Sequence, residues 1–210
     1  MGLTRISKIR RLELRQAAYE VLQREGMAGA TIEKVAQQAG ASKGIVLHYF
    51  KTKQLLFEHT MRHSNSLLRD HVISRMRLAR TSDQRLWAII EGNFSTEFFT
   101  PAICHAWLAL CAEVPREQQL ARIQRVVHAR MHSNLLSALT ALVPSEQCEA
   151  IALGITSLID GLWLKLGLRS GGISAPEALA QMADYLVYRI PHIEWGDHLR
   201  RTDDARQHAG

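Results

Sequence analysis

An all-α fold is predicted by three observations on this sequence of 210 residues. Apolar residues recur at three- and four-residue spacing along nearly its whole length. No run of Val, Ile and Thr alternates with polar residues as a half-buried strand would. Ser and Thr caps, Gly and Pro punctuate the periodic stretches at helix-length intervals.

The first helix starts in a basic stretch with Arg5, Lys8, Arg10, Arg11 and Arg15, and continues with Leu14, Ala17, Ala18, Val21 and Leu22 on one face up to Gly26. Thr31 then caps a short helix carrying Ile32, Val35, Ala36 and Ala39, and Gly40 stands where a helix C-terminus favours a left-handed residue. Ser42 caps a second short helix from about Lys43 to Phe50, which turns Val46, Tyr49 and Phe50 partly inward. Two short helices joined by a tight turn with Gly make a helix-turn-helix, whose second helix can lie in a DNA major groove. The string Gly40-Ala41-Ser42-Lys43-Gly44 also looks like a nucleophile elbow, but that motif needs a preceding strand and here a helix precedes it.

Charge separates this part from the rest. Through Arg62 there are 11 Lys and Arg against 5 Asp and Glu, whereas the remainder holds 15 of each sign, so the formal net charge of +6 lies entirely in the first part. A basic module beside a neutral one is the footprint of a phosphate-binding head on a body with another task. The partition expected is a head over residues 1–53, a body over 54–195 that starts with a connecting helix over 54–78, and a polar, fraying tail over 196–210.

In the body, Thr81 and Gln84 read as a capping box for a helix with Trp87, Ile90, Glu91, Phe94 and Phe98 along one side. Pro101 restarts a shorter helix bearing Cys104, Trp107, Leu108 and Cys111. After Pro115 a long helix runs over about 116–142, Pro144 and Ser145 open the next, and Gly171 and Gly172 close it. Ser174 and Glu177, with Pro176 in the first turn, cap the last helix, which Pro191 stops. The penultimate helix is apolar nearly all round, so it must be covered on both sides, by its own domain and by either a second subunit in a two-fold four-helix interface or the rest of a large monomer core. Asp160 and Lys165 argue against placing it in lipid, and no membrane partner is expected.

Other chemistries find little support. The pairs His59/His63 and His128/His132 have metal-ligand spacing, but neither has a third ligand at a matching position. Cys104, Cys111 and Cys148 have neither metal nor disulfide-scaffold spacing, and a thiol sensor would need a more basic setting than His105 provides. No Ser/His/Asp order, glycine-rich phosphate loop or cofactor motif points to an enzyme, so neither a cofactor nor a metal is expected. The N-terminus lacks the apolar core of a secretion signal, which predicts a cytoplasmic protein with reduced thiols.

The stretch GMAGATIEKVAQQAGASKGIVLHYFKTKQLLF closely resembles the DNA-binding head of the tetracycline-repressor (TetR) family. The resemblance implies a three-helix head, a connecting helix, and a helical ligand-binding and dimerisation body. It implies that Thr31 and Lys53 hold phosphates and that Ser42, Lys43, Gly44, Leu47, His48 and Tyr49 lie along the groove. Many members carry Tyr where this chain has Leu47, which could touch a thymine methyl instead.

In the body, Gly92–Phe94, Ala106–Ala109 and Ser157–Leu164, with His48–Phe50 and Thr60–Arg62, resemble the choline-responsive members that repress glycine-betaine synthesis genes. Choline is a quaternary ammonium with a hydroxyl, and such cations are recognised by aromatic faces at about 0.5–2 kcal/mol each. The residues that suit it are Trp87, Phe94, Trp107 and Trp163, with Asp160 as the carboxylate and Asn93 a lesser candidate for the hydroxyl, beside Glu91 and Glu97. The same Trp residues serve equally as core, and Asp160 could instead accept from a helix end or pair with an Arg. The expectation is a homodimeric repressor of double-stranded operator DNA relieved by choline. A related regulator of efflux or lipid genes answering a different molecule is the alternative.

Overall fold

The apolar stripes become helices in the computed structural model, which describes residues 5–168 and 172–200. In chain order these are α1 (Arg5–Gly29), α2 (Ile32–Gln38), α3 (Lys43–Phe50), α4 (Lys53–Leu78), α5 (Ser82–Asn93), α6 (Pro101–Cys111), α7 (Gln118–Leu139), α8 (Ser145–Gly167) and α9 (Ala175–Arg189). No strand occurs among the described residues.

The chain forms two units that cut it differently from the head and body expected. One unit comprises the described residues through Leu67 with Ala102–Arg125, and the other comprises Leu68–Pro101 with Val126 onward. Thus α6 and the first turns of α7 join α1–α3, and both α4 and α7 contribute to each unit.

In the first unit, α1 buries Leu14, Ala17, Ala18, Val21 and Leu22. α2 packs on both α1 and α3, and Val35 and Ala36 of α2, Val46 and Phe50 of α3, and Leu56, Phe57 and Met61 of α4 are buried in the same unit. Helical geometry breaks at Gly26, with φ 64° and ψ −175°, and a last turn runs on to Gly29. That backbone conformation is open essentially to glycine alone.

In the second unit, α5 is buried almost all round, and α9 packs on both α5 and α8. The Ser174–Glu177 capping box forms as expected, with both reciprocal bonds. The one at Thr81 does not: Gln84 Oε1 reaches past it to accept from the Arg80 N–H at 2.9 Å, and the Thr81 hydroxyl serves the Asp83 carboxylate instead. The close of α8 expected at Gly171 lies outside the described residues. By length and composition α8 is apolar enough to cross a membrane, but Ile151, Ala152, Ile155, Ile159 and Trp163 are buried on its inner face. Its opposite face leaves Leu153, Leu164 and Leu168 exposed, alongside Val187 and Tyr188 of α9.

The tail expected after Trp195 is corrected in part. Residues 195–200 are helical, and Trp195 is fully buried with its indole N–H donating to Ile190 O at 3.1 Å. His198 returns to within 3.1 Å of the Asp83 carboxylate and stacks near Trp87 and Trp195. An aromatic and a histidine hidden in a polar-looking stretch carry enough buried surface to dock it. The rest of that tail, 201–210, lies outside the described residues.

Gly92 fixes the approach of α4 to α5 within the second unit. A Cβ there would fall 2.8 Å from Val72 Cγ2 and 3.2 Å from its Cα, and a backbone atom cannot rotate away. Gly92→Ala is expected to destabilise the protein by about 1–3 kcal/mol through overpacking, read as a lowered midpoint in denaturant unfolding.

Candidate DNA interface and ligand site

The helix-turn-helix is held by local bonds that the sequence encodes. Thr31 Oγ1 accepts from the Lys34 N–H and Ser42 Oγ from the Ile45 N–H, each at 3.3 Å. Between the helices, the Gly40 N–H donates to Gln37 O and the Ala41 N–H to Ala36 O, at 3.2 and 2.9 Å. Gly40 takes φ +56°. These two bonds are the Schellman closure, and they satisfy the last carbonyls of α2 so that α3 can begin two residues later.

On α3, Ser42, Lys43, Gly44 and His48 are exposed, and Leu47 and Tyr49 are half-buried. All six groove candidates therefore keep surface on or next to one short helix. Tyr49 is positioned from both sides: the Arg11 guanidinium lies 5.6 Å from its ring centroid, and the His48 ring meets it edge-on at 5.2 Å. Ile45 is exposed on the same helix, an apolar contact that the helical spacing did not single out.

The phosphate candidates are placed differently from each other. Thr31 is half-buried at the start of α2, and its hydroxyl also serves the Glu33 carboxylate. Lys43 pairs with that same carboxylate at 2.5 Å, and Lys43 and Thr31 hold the Glu33 pKa below its ordinary value. Glu33 was not anticipated; it places a carboxylate between Thr31, a phosphate candidate, and Lys43, a groove candidate. The Lys53 ammonium donates to Met27 O at 3.1 Å and lies over the Phe57 ring at 5.7 Å. It thereby satisfies a carbonyl at the end of α1, a task that competes with phosphate contact.

His59 and His63 lie four residues apart on α4, and among the described residues no group of three or more His, Cys, Asp or Glu is arranged to hold a metal. Burial lowers both pKa values, and the nearby Arg15 guanidinium lowers them further, with Arg11 and Arg62 adding at His59 against a partial offset from Glu58.

The ligand candidates fall into separate neighbourhoods, and all but Trp107 lie in the second unit. Phe94 is fully buried and meets Phe99 edge-to-face at 5.0 Å, and Phe99 lies 6.1 Å from Trp163. The Trp163 indole N–H donates to Asn93 O at 3.0 Å, while the Asn93 amide donates back to Ile89 O at 2.8 Å. These residues form one aromatic cluster at the end of α5. Trp87 stacks with Trp195 and His198, and Trp107 is half-buried on α6 in the first unit.

Asp160 lies three residues before Trp163, and that offset of about 60° around a helix turns it to a different neighbour. It lines a groove of about 650 Å³ between α7 and α8 with His128, Met131, Leu153, Thr156 and Ser157. Burial raises its pKa, opposed by His128, so the carboxylate is a group that a cation would stabilise. In the same groove His132 pairs with Glu149 at 2.7 Å. Glu91 and Glu97 are engaged: Arg75 pairs with Glu91 at 2.7 Å and donates to His71 Nε2 at 3.0 Å, and His71 Nδ1 lies 3.6 Å from Glu97. Beside the aromatic cluster, the buried Ser95 hydroxyl has no hydrogen-bond partner among the described residues. Nothing in its sequence neighbourhood signals that.

Two expectations follow from this geometry. Lys43→Ala, which removes a groove candidate, should weaken binding to the operator more than to unrelated duplex and so narrow the ratio between them; anisotropy titrations with both DNAs at one salt concentration read this. For His59 and His63 the folded pKa lies below the ordinary 6.5, so as pH falls through that value the unfolded chain binds protons that the native protein does not. Stability is full above 6.5 and declines below it. A His59→Gln/His63→Gln variant should show a shallower fall in melting temperature between pH 7.5 and 5.5, with His71, lowered by burial and by Arg75, keeping part of the slope.

Comparison with known proteins agrees with both halves. Residues 14–60 match the bacterial regulatory proteins of the tetR family, and residues 82–190 match the BetI-type transcriptional repressor C-terminal family. The chain is 37% identical over 188 residues to the HTH-type transcriptional regulator BetI of Escherichia coli (strain SE11), covering 89% of this chain and 96% of that one. The same identity and coverage hold for BetI of Shigella flexneri serotype 5b (strain 8401).

Solved structures share the fold. A putative transcriptional regulator from Saccharomonospora viridis in complex with choline superposes with a TM-score of 0.76 at 16% identity, over 85% of this chain and 96% of that one. A putative regulator from Pseudomonas aeruginosa PAO1 gives 0.75 at 22%, over 93% and 94%. A helix-turn-helix on a basic unit, a wholly helical body, and relatives that are transcriptional regulators rather than enzymes converge: the chain belongs to the tetR family of transcriptional repressors and carries a BetI-type C-terminal domain.

Proposed function

We propose that the protein is a homodimeric repressor that binds a palindromic operator and releases it when a small quaternary ammonium compound, choline in the first place, binds the body. The single observation carrying this reading is the similarity to BetI over head and body together, at 37% identity across 89% of the chain. Family bodies diverge with their ligands, so a match that extends through the body bears on ligand and not only on DNA.

The chemistry supports the ligand class. The aromatic cluster of Phe94, Phe99 and Trp163 offers faces that attract a cation. Asp160 is a half-buried carboxylate that a positive charge would stabilise. Two sub-sites, one aromatic and one acidic, both on or against α8, are consistent with one cationic ligand class reaching either. Binding must favour a dimer geometry whose recognition helices no longer fit both half-sites, since only differential affinity shifts an equilibrium.

The dimer reading rests on the exposed apolar residues of α8 and α9, with Leu153 67% and Tyr188 82% exposed. Apolar residues of that size on adjacent helices fit a self-complementary four-helix interface. A repressor acting on DNA places the protein in the cytoplasm.

The test is fluorescence anisotropy of labelled DNA from the protein's own upstream region, first with protein and then with choline. Specific binding that choline weakens by about 5–150-fold, the usual range of such couplings, supports the reading. In Asp160→Asn or Trp163→Phe the DNA affinity should persist while the choline needed rises several-fold. Specific DNA binding indifferent to millimolar choline keeps the repressor and discards the ligand.

A further inference from the structure

Ser95 is the one buried hydroxyl beside the aromatic cluster whose placement the fold does not explain. It is 6% exposed, and its Oγ has no partner among the described residues. Its carbonyl already closes the turn after α5, accepting from the Phe98 and Phe99 N–H groups at 3.0 and 2.8 Å. The turn therefore does not need the hydroxyl. A buried polar group left unpaired is costly, and native proteins carry few of them. Alanine at this position would remove that cost.

The surroundings indicate what could relieve it. Phe94 precedes Ser95 and Phe99 follows four residues on, the two rings meet edge-to-face, and Trp163 stands beyond Phe99 with its indole N–H committed to Asn93 O. With that donor taken, the Ser95 hydroxyl, one residue after Phe94, is an uncommitted polar group of this turn among the described residues. It can donate or accept. The geometry points to Ser95 as the residue that distinguishes a quaternary ammonium bearing a hydroxyl from one without it, the cation lying against the aromatic rings and the ligand oxygen hydrogen-bonding to Ser95 Oγ.

This inference rests on the reading of the cluster as a cation site. It also has a conformational side. Ser95 Oγ is covered in this conformation, so a ligand reaches it only if the turn over 94–100 opens. That turn is tied to α4 through His71, which faces Glu97 and lies 5.0 Å from the Phe98 ring. The closed turn orphans the hydroxyl and the opened, liganded turn partners it, so the ligand selects the second state by the bond it adds.

The experiment is calorimetric titration of the full-length protein with choline and, separately, with tetramethylammonium, together with ligand-free melting. Ser95→Ala is expected to weaken choline roughly tenfold, the loss of about one net hydrogen bond, and to leave tetramethylammonium unchanged. Its ligand-free melting temperature should rise by about 2–4 °C as the orphan is removed. Ser95→Cys, similar in size and a weaker donor, should fall between, and Phe99→Leu should weaken both cations. Unchanged choline affinity in Ser95→Ala overturns the inference, and so does an equal loss for both cations, which would mark a merely structural role. If the unaltered protein binds neither compound, the cation site itself fails and the inference falls with it. If it binds both and Ser95→Ala changes neither, only the inference fails.

Discussion

The bond from the Trp163 indole to the Asn93 carbonyl fixes the interior of the second unit. It joins α8 to the last residue of α5 in a fully desolvated setting, where an unmade hydrogen bond costs more than a made one contributes. Trp163 cannot rotate without orphaning its N–H, and Asn93 cannot shift without orphaning its carbonyl. The Phe99 ring and the turn that carries Ser95 are therefore referred to a rigid frame. The ion network from Glu91 through Arg75 and His71 to Glu97 then attaches α4 to the same turn. The C-terminal part of α4, which belongs to the second unit, is thus attached to the turn that precedes α6.

Helix positions were legible in the sequence because apolar spacing, caps and Gly or Pro agreed with one another. The helix-turn-helix is the clearest case: Thr31, Gly40 and Ser42 each perform the local bond that their residue type suggests. Where a signal was misread, a competing local bond was responsible. Gln84 reached to Arg80 rather than completing a box at Thr81. Trp195 and His198 were hidden because a polar stretch with one aromatic gives no periodicity to read.

The candidate site was legible by residue type and less so by arrangement. Phe94, Asn93 and Trp163 do assemble, since all three sit at the meeting of α5 with α8. Asp160 shares a helix with Trp163 but not its neighbours, because a three-residue offset at this position is enough to face α7 instead. Trp87 found Trp195, a partner about a hundred residues away that no local pattern indicates. Ser95 could not be found at all from sequence: being unpaired is a property of the surroundings, not of the residue.

Glu33 adds a consequence for how such a protein would find its target. Its carboxylate holds Lys43 and Thr31, so DNA that engaged either would first have to displace an internal rival. That toll is the same on any stretch of duplex, and it leaves the ratio of operator to background affinity unaltered. What it shortens is the dwell on each wrong site. A searching molecule that lets go sooner samples more of the chromosome per second, and a single acidic side chain beside α3 would bear on that pace.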